Sequence, residues 1–171
     1  MKKITLFLAI ILIGLTVTFA QKYAYVDTEY ILKNIPAYEA ANDQLNELSK
    51  QWQKEIDAMY EDLDKMYKDY QVEKVLLSEE MKTKRENEIV AKEKQVKEKQ
   101  KKYFGKDGEL FKKRQELVKP IQDEIFNAIK EIAMNENLAV IFDTAGSLNM
   151  LYVDPKYDKS DDVLEKLGFK K

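Results

Sequence analysis

The sequence predicts a mainly α protein of the α+β class, in which a long antiparallel coiled-coil helical hairpin projects from a small β-sheet body. Three observations carry this reading. Charged residues make up 35% of the 171-residue chain and mean hydropathy is −0.54, with only 5 Gly and 3 Pro. That mixture suits long solvated helices better than a compact layered domain. Between Leu45 and Tyr70 the apolar residues recur at steps of three and four, which is the helical period. In mid-chain, Ser78-Glu79-Glu80 restarts a helix, because Ser accepts from the free N–H groups of a first turn and acids there complement the dipole.

The opening residues read as an address. Lys2 and Lys3 precede a nearly unbroken apolar run from Ile4 to Val17, and Thr18-Phe19-Ala20 places small residues at the −3 and −1 positions of a cleavage site. Residues 1–20 are therefore expected to be a signal peptide cleaved after Ala20, with 21–171 forming a single domain. The apolar run from Ile4 to Val17, 14 residues, is shorter than the ~20 a spanning helix needs, which disfavours an uncleaved anchor. No Cys follows the site, so a lipoprotein is excluded. Without Lys2 and Lys3, 27 basic residues face 31 acidic ones, a formal charge of −4. Nucleic-acid-binding domains are normally basic, so no nucleic-acid partner is expected.

Tyr23–Val26 alternates aromatic and aliphatic residues and reads as a short strand. Asp27 or Thr28 can cap a brief helix from Glu29 to Asn34, and the first arm begins near Ala37. Its seam is Leu45, Leu48, Trp52, Ile56, Met59, Leu63, Met66 and Tyr70, with one residue inserted between Leu48 and Ile56. That insertion is a local stutter. Tyr60 and Tyr67 flank the seam at a seven-residue spacing. The turn is placed at Leu76–Ser78, with Leu76 and Leu77 exposed.

Two seven-residue registers mark the second arm: Ile89, Val96, Tyr103, Leu110, Leu117, and Phe104, Phe111, Val118, Ile125, Ile132. Both pass through Gly105 and Gly108 without a phase shift. Those glycines, and Pro120, are expected sites of bending within one arm or of its junction with the body. Between Ser78 and Tyr103 only one strong apolar residue appears per heptad, so packing should thin towards the tip. Glu47–Glu73 holds eight acids and four lysines, whereas Lys92–Arg114 holds ten basic residues and four acids. Folded back at Ser78, an acidic arm faces a basic one. The arms span 38–118, and the body takes 21–37 and 119–171. Beyond Pro120, Ile121–Asn135 reads as an amphipathic helix. Leu138–Phe142 and Leu148–Val153 read as strands, and Ser160-Asp161-Asp162 caps a last helix ending at Leu167-Gly168. Three short strands leave edges that need partners, and so small a body is marginal alone.

The chemistry available is narrow. With no Cys and no His there is no thiolate nucleophile, no disulfide, and neither the commonest general base nor the commonest metal ligand. No catalytic residue, cofactor or metal is expected. Gly105-Lys106-Asp107-Gly108 lacks the spacing of a phosphate-binding loop. Asp27 and Asp143 sit at strand ends, where capping explains them better than catalysis. The Lys92–Lys106 run reads as a solvated face. The Met59–Tyr70 stripe reads first as packing within the hairpin. Tyr60, Tyr67, Val75, Leu76 and Leu77 are left as candidate surfaces for an unfolded partner.

Three segments together resemble the Skp/OmpH family of periplasmic chaperones: YAYVDTEYILKNIP (Tyr23–Pro36), LLSEE at the tip (76–80) and LAVIFDTAGSLNMLYVDPKYDKSDDVLEKLG (Leu138–Gly168). The likeness covers essentially the whole mature chain. It implies a homotrimer in which strands from three chains build a shared body and three hairpins enclose a cavity for unfolded outer-membrane β-barrel proteins in the periplasm. Tyr23, Tyr25, Val26, Val140, Ile141, Phe142 and Leu151 are then the candidate body and trimer residues. The implied activity is that of an ATP-independent holdase that prevents aggregation in transit. Some members are strongly basic, whereas this chain is acidic overall, which counts against long-range electrostatic capture and a lipopolysaccharide site. Peripheral membrane contact stays open. Two other readings are a structural coiled-coil envelope protein with one defined partner and a carboxylate-only hydrolase, which would need two converging acids in a cleft.

Overall fold

The computed structural model describes residues 22–146 and 150–169. The expected signal peptide, residues 1–20, lies outside the described residues. Strand β1, Lys22–Val26, turns Ala24 and Val26 inward and leaves Tyr23 exposed, as the two-residue alternation of a strand requires. Asp27 ends the strand and caps α1, Thr28–Lys33, by accepting the Tyr30 N–H at 2.9 Å. Helix α2, Pro36–Glu73, starts one residue before Ala37. Pro belongs there, because its ring presets a helical φ where the N–H has no partner to lose.

At 38 residues α2 is about 57 Å long. It buries Ala41, Leu45, Ile56, Leu63 and Tyr70, a subset of the expected seam together with Ala41. The chain reverses after Lys74. Ser78 caps α3, Glu79–Phe104, its hydroxyl accepting the Met81 N–H at 3.3 Å. Helix α3 buries one residue per heptad, namely Ile89, Val96 and Tyr103, as the sparse apolar pattern predicts.

The glycines interrupt the second arm and do not merely bend it. Helix α3 stops at Gly105 and α4, Glu109–Glu136, starts from Gly108. Alanine would not fit this break, since a Cβ on Gly105 would lie 2.4 Å from the Lys101 carbonyl oxygen and one on Gly108 2.7 Å from that of Tyr103. The arm nevertheless keeps its direction, and Leu110 and Leu117 pack with Ala41, Leu45 and Val118 at the base of the hairpin. Pro120 lies inside α4 without ending it. Asn137, at φ 54°, closes the helix in the left-handed conformation that Asn tolerates.

Strand β2, Leu138–Asp143, pairs parallel with β1, setting Tyr23 beside Val140, Ala24 beside Ile141 and Tyr25 beside Phe142. Parallel neighbours need a long crossover, and here the whole hairpin provides it. The expected strand at Leu148–Val153 is not found among the described residues 150–153. Asp154 and Pro155 start a single turn of 3₁₀ helix, Pro155–Tyr157. The outer edge of β1 is taken instead by a bridge to Asp158 and a bond from the Lys159 N–H to the Tyr25 carbonyl at 2.9 Å. Among the described residues the sheet therefore has two strands, one fewer than expected.

Helix α5, Ser160–Lys166, closes the body. Its end is a Schellman cap, with Gly168 at φ 85° and bonds from the Gly168 N–H to Glu165 and from the Phe169 N–H to Leu164. Ser160 does not cap its own helix as expected. It is buried, donates to Asp158 at 2.6 Å and accepts the Asp27 N–H at 2.8 Å, so it ties α5 to the start of α1. Val26, Ile31, Ile35, Ile125, Ala128, Ile132, Val163 and Leu164 form the body's core.

Candidate functional site

Two surfaces concentrate the chain's exposed apolar side chains: the tip of the hairpin and the outer face of the sheet. At the tip, Val75 and Leu76 are 84% and 86% exposed. The cause is local, because the turn after Lys74 points away from both helices. Leu77, expected to be exposed, instead folds back onto Leu63, Tyr70 and Ile89. Val72 and Met81, on the last turn of α2 and the first of α3, are also exposed, although the sequence pattern did not single them out. They fall between seam positions, so an apolar residue there has no partner helix to cover it.

Behind the tip the arms are joined by polar rungs. Tyr70 donates its hydroxyl to Glu86 at 2.5 Å, Tyr67 donates to Glu93, and Tyr60 reaches Gln100 at 3.3 Å. Lys92 pairs with Asp62 at 3.1 Å, Lys99 with Glu55 at 2.6 Å, and Arg85 with Glu73 at 3.3 Å. Tyr103 adds a bond to Glu55 at 2.6 Å. The acidic arm thus meets the basic one as the charge pattern predicts, in antiparallel register. Bonds from Lys99 and Tyr103 hold the Glu55 carboxyl below the ordinary carboxylate range. Bonds to Glu93 and Glu86 raise the phenols of Tyr67 and Tyr70. Tyr60 and Tyr67 remain 44% and 40% exposed, so each ties down its hydroxyl while showing much of its ring to solvent.

Where α3 stops, Trp52 of α2 stacks on Tyr103 with centroids 4.7 Å apart and planes 7° from parallel, and Phe104 meets the same indole edge-on. The stutter in the first arm thus lies opposite the break in the second.

On the body, the sheet's inner face covers the core and its outer face is open. Tyr23 is 56% exposed, Val140 47% and Phe142 41%, and Leu151 is fully exposed. Tyr25 and Ile141 are half-buried, and Val26 is buried within the chain's own core. Tyr152, which sequence reasoning passed over, is 81% exposed beside this face, and Tyr157 lies against Tyr23 with centroids 5.2 Å apart. Together Tyr23, Tyr25, Phe142, Tyr152 and Tyr157 line a concavity of about 420 Å³. Asp143 caps rather than catalyses: burial opposes its charge, but bonds from the Thr28 hydroxyl and the Ala145 and Thr28 N–H groups prevail and hold its pKa below the usual value.

Among the described residues no cluster of three or more acidic side chains is arranged to hold a metal, and no helix is long and apolar enough to cross a membrane. The geometry offers exposed apolar surfaces and long rods with charged flanks.

The family model described as "Outer membrane protein (OmpH-like)" matches residues 22–167. The chain belongs to the OmpH-like family. A crystal structure of a candidate outer membrane chaperone (OmpH-like) from Caulobacter crescentus CB15 superposes with a TM-score of 0.66, covering 86% of this chain and 84% of that one at 15% identity. At that identity the likeness speaks for the fold, and it supports the mainly helical architecture with a small sheet. No curated protein matches the chain. Within the OmpH-like frame, the long hairpin and a small sheet body are the parts read from the sequence, while the two-strand count among the described residues and the break at Gly105–Gly108 come from the structure.

Proposed function

We propose that this OmpH-like protein is an ATP-independent periplasmic holdase. It binds unfolded outer-membrane β-barrel proteins in a cavity between helical arms and keeps them from aggregating on the way to the outer membrane. The observation that carries the reading is the exposed apolar tip, Val75 and Leu76, at the end of a rod about 57 Å long whose flanks are charged. Such a rod offers scattered apolar contacts rather than one pocket. Many weak contacts give avidity while each releases quickly. Tyr60 and Tyr67 add amphipathic rings along the flank, suited to varied partners.

In this reading the mature chain starts at Gln21 after cleavage behind Ala20, residues 21–37 and 119–171 form the body, and 38–118 form the arms. The exposed aromatic face of the sheet and the open edge of β2 are covered by sister subunits in a homotrimer. Tyr23, Tyr25, Val140, Ile141, Phe142 and Leu151 are its contact candidates. Val26 supports the sheet from inside. The protein works by binding alone, without nucleotide, metal or bond chemistry.

The test is aggregation of a denatured outer-membrane β-barrel, followed by light scattering, with and without the mature protein and with no nucleotide. Stoichiometric protein is expected to suppress scattering. Unchanged aggregation, together with tight binding to a single folded envelope partner, would instead favour a structural spacer.

A further inference from the structure

We propose that the outer half of the hairpin is an acid-labile clasp: carboxylates hold the two arms together beyond Trp52, and their protonation lets the arms part while the base stays shut. The inference concerns one chain and stands whether or not the holdase reading does.

Six of the seven cross-arm polar contacts use a carboxylate as acceptor. Glu55 accepts from Lys99 and Tyr103, Asp62 from Lys92 and Glu73 from Arg85, while Glu93 accepts from Tyr67 and Glu86 from Tyr70. Only the Tyr60–Gln100 contact has an acceptor that does not titrate. Charge-assisted bonds of this kind are about twice as strong as neutral ones. They matter here because the apolar seam is thin, with α3 burying only Ile89, Val96 and Tyr103 against α2. The base is different. Ala41, Leu45 and Val118, with Tyr38, Leu110 and Leu117, close it through groups that do not change charge in acid.

Neighbouring charges reinforce the effect. Lys102 stands near Glu55, Glu79 near Tyr70, and Glu88 shares Arg85 with Glu73. Once the carboxylates of both arms are neutral, α3 keeps only the charge of its lysines and arginine and α2 only that of Lys50, Lys54, Lys65 and Lys68, so both arms are positive. Attraction between the arms then becomes repulsion. The sign follows for Glu55, whose folded pKa is depressed. Its contribution is complete above the ordinary carboxylate range and is lost as pH falls through the folded value.

The chain has no Cys, so spin labels can be placed at will. One pair, Val72→Cys with Met81→Cys, spans the tip. A second pair, Gln44→Cys with Gln115→Cys, spans the base. On the full mature protein, double electron–electron resonance is expected to show the tip distribution lengthening as pH falls from 7 to about 3, below the reference range of carboxylates, because the bonded Glu55 gives up its charge only beneath that range, with the base unchanged. Glu86→Gln with Glu93→Gln keeps an acceptor at each rung but removes its titration, so the acid response of the tip should shrink. Tyr67→Phe with Tyr70→Phe should lengthen the tip distance already at pH 7. An unchanged tip at about pH 3, a tip and base that open together, a glutamine variant that opens over the parent's pH range, or phenylalanine variants as closed as the parent would each overturn the proposal.

Discussion

Single residues in the body do work that cannot be seen from their neighbours in sequence. Asp27 and Ser78 are legible caps, because each precedes a helical period and bonds to a backbone N–H three positions on. Ser160 was not legible in the same way. Its local setting, Ser-Asp-Asp before an apolar pair, points to its own helix, yet its hydroxyl serves the Asp27 N–H across 133 residues of chain. No local pattern encodes a partner so distant. Removing a buried group that satisfies another leaves the second unpaired, which costs ~1–3 kcal/mol. Ser160→Ala should therefore lower the unfolding free energy by an amount in that range, read as a lower urea midpoint with an unchanged slope; a midpoint matching the parent would show that water replaces the hydroxyl. Asp143 gives a pH test at the same scale. Its folded pKa is depressed by the Thr28 and Ala145 bonds, so its contribution is present above the unfolded Asp value and vanishes as pH drops through the folded one. Asp143→Asn should be less stable than the parent at pH 7 and should lose less stability between pH 5 and 3. Parallel acid limbs for the two proteins would contradict this.

Among the elements, the hairpin was the most readable, because periodicity, the Ser78 cap and opposed charge agreed on one reversal. The second arm was read as continuous because both heptad registers cross Gly105 and Gly108. The registers do cross, since Tyr103 and Leu110 both face α2, but the backbone does not stay helical between them. A heptad count records which way side chains face and is blind to a short break that preserves that direction. The third strand expected at 148–153 has a similar origin. Alternation in LNMLYV satisfies the strand period but is blind to pairing, and no ladder forms at the described residues 150–153, while the outer edge of β1 goes to Asp158 and Lys159. The break is testable because Trp52, the single tryptophan, reports on it by stacking on Tyr103. Gly105→Ala with Gly108→Ala places Cβ atoms against the Lys101 and Tyr103 carbonyls, while each change favours helix by ~1 kcal/mol. The two helices should fuse, raising ellipticity at 222 nm and altering Trp52 emission. Identical spectra would mean that the break tolerates side chains and has another cause.

For the whole molecule, the body and the tip pose separate problems, and single charges should separate them. Folding of one chain buries the inner face of the sheet on Ile31, Ile125 and Val163 but leaves Tyr23, Val140, Phe142 and Leu151 in solvent. An open sheet edge beside an apolar face invites pairing with another chain. The tip lies at the far end of the arms, and Leu76 contacts neither the body nor the seam clusters. Phe142→Asp puts a carboxylate into the face we assign to sister subunits. It should shift the mass in light scattering from that of the proposed trimer to that of a monomer while leaving the helical spectrum largely intact, because Phe142 is outside the core. Leu76→Asp is chosen without Leu77, since Leu77 packs on Leu63, Tyr70 and Ile89 and its loss would loosen the tip for an unrelated reason. Leu76→Asp should keep the parent's mass yet hold an unfolded β-barrel less well, so that more protein is needed for the same suppression of aggregation. If Leu76→Asp broke the assembly, or Phe142→Asp left it whole, the division of labour between body and tip would be wrong. If both variants assembled as predicted but Leu76→Asp held the client as well as the parent, the binding surface would lie inward along the arms, where Tyr60 and Tyr67 show their rings.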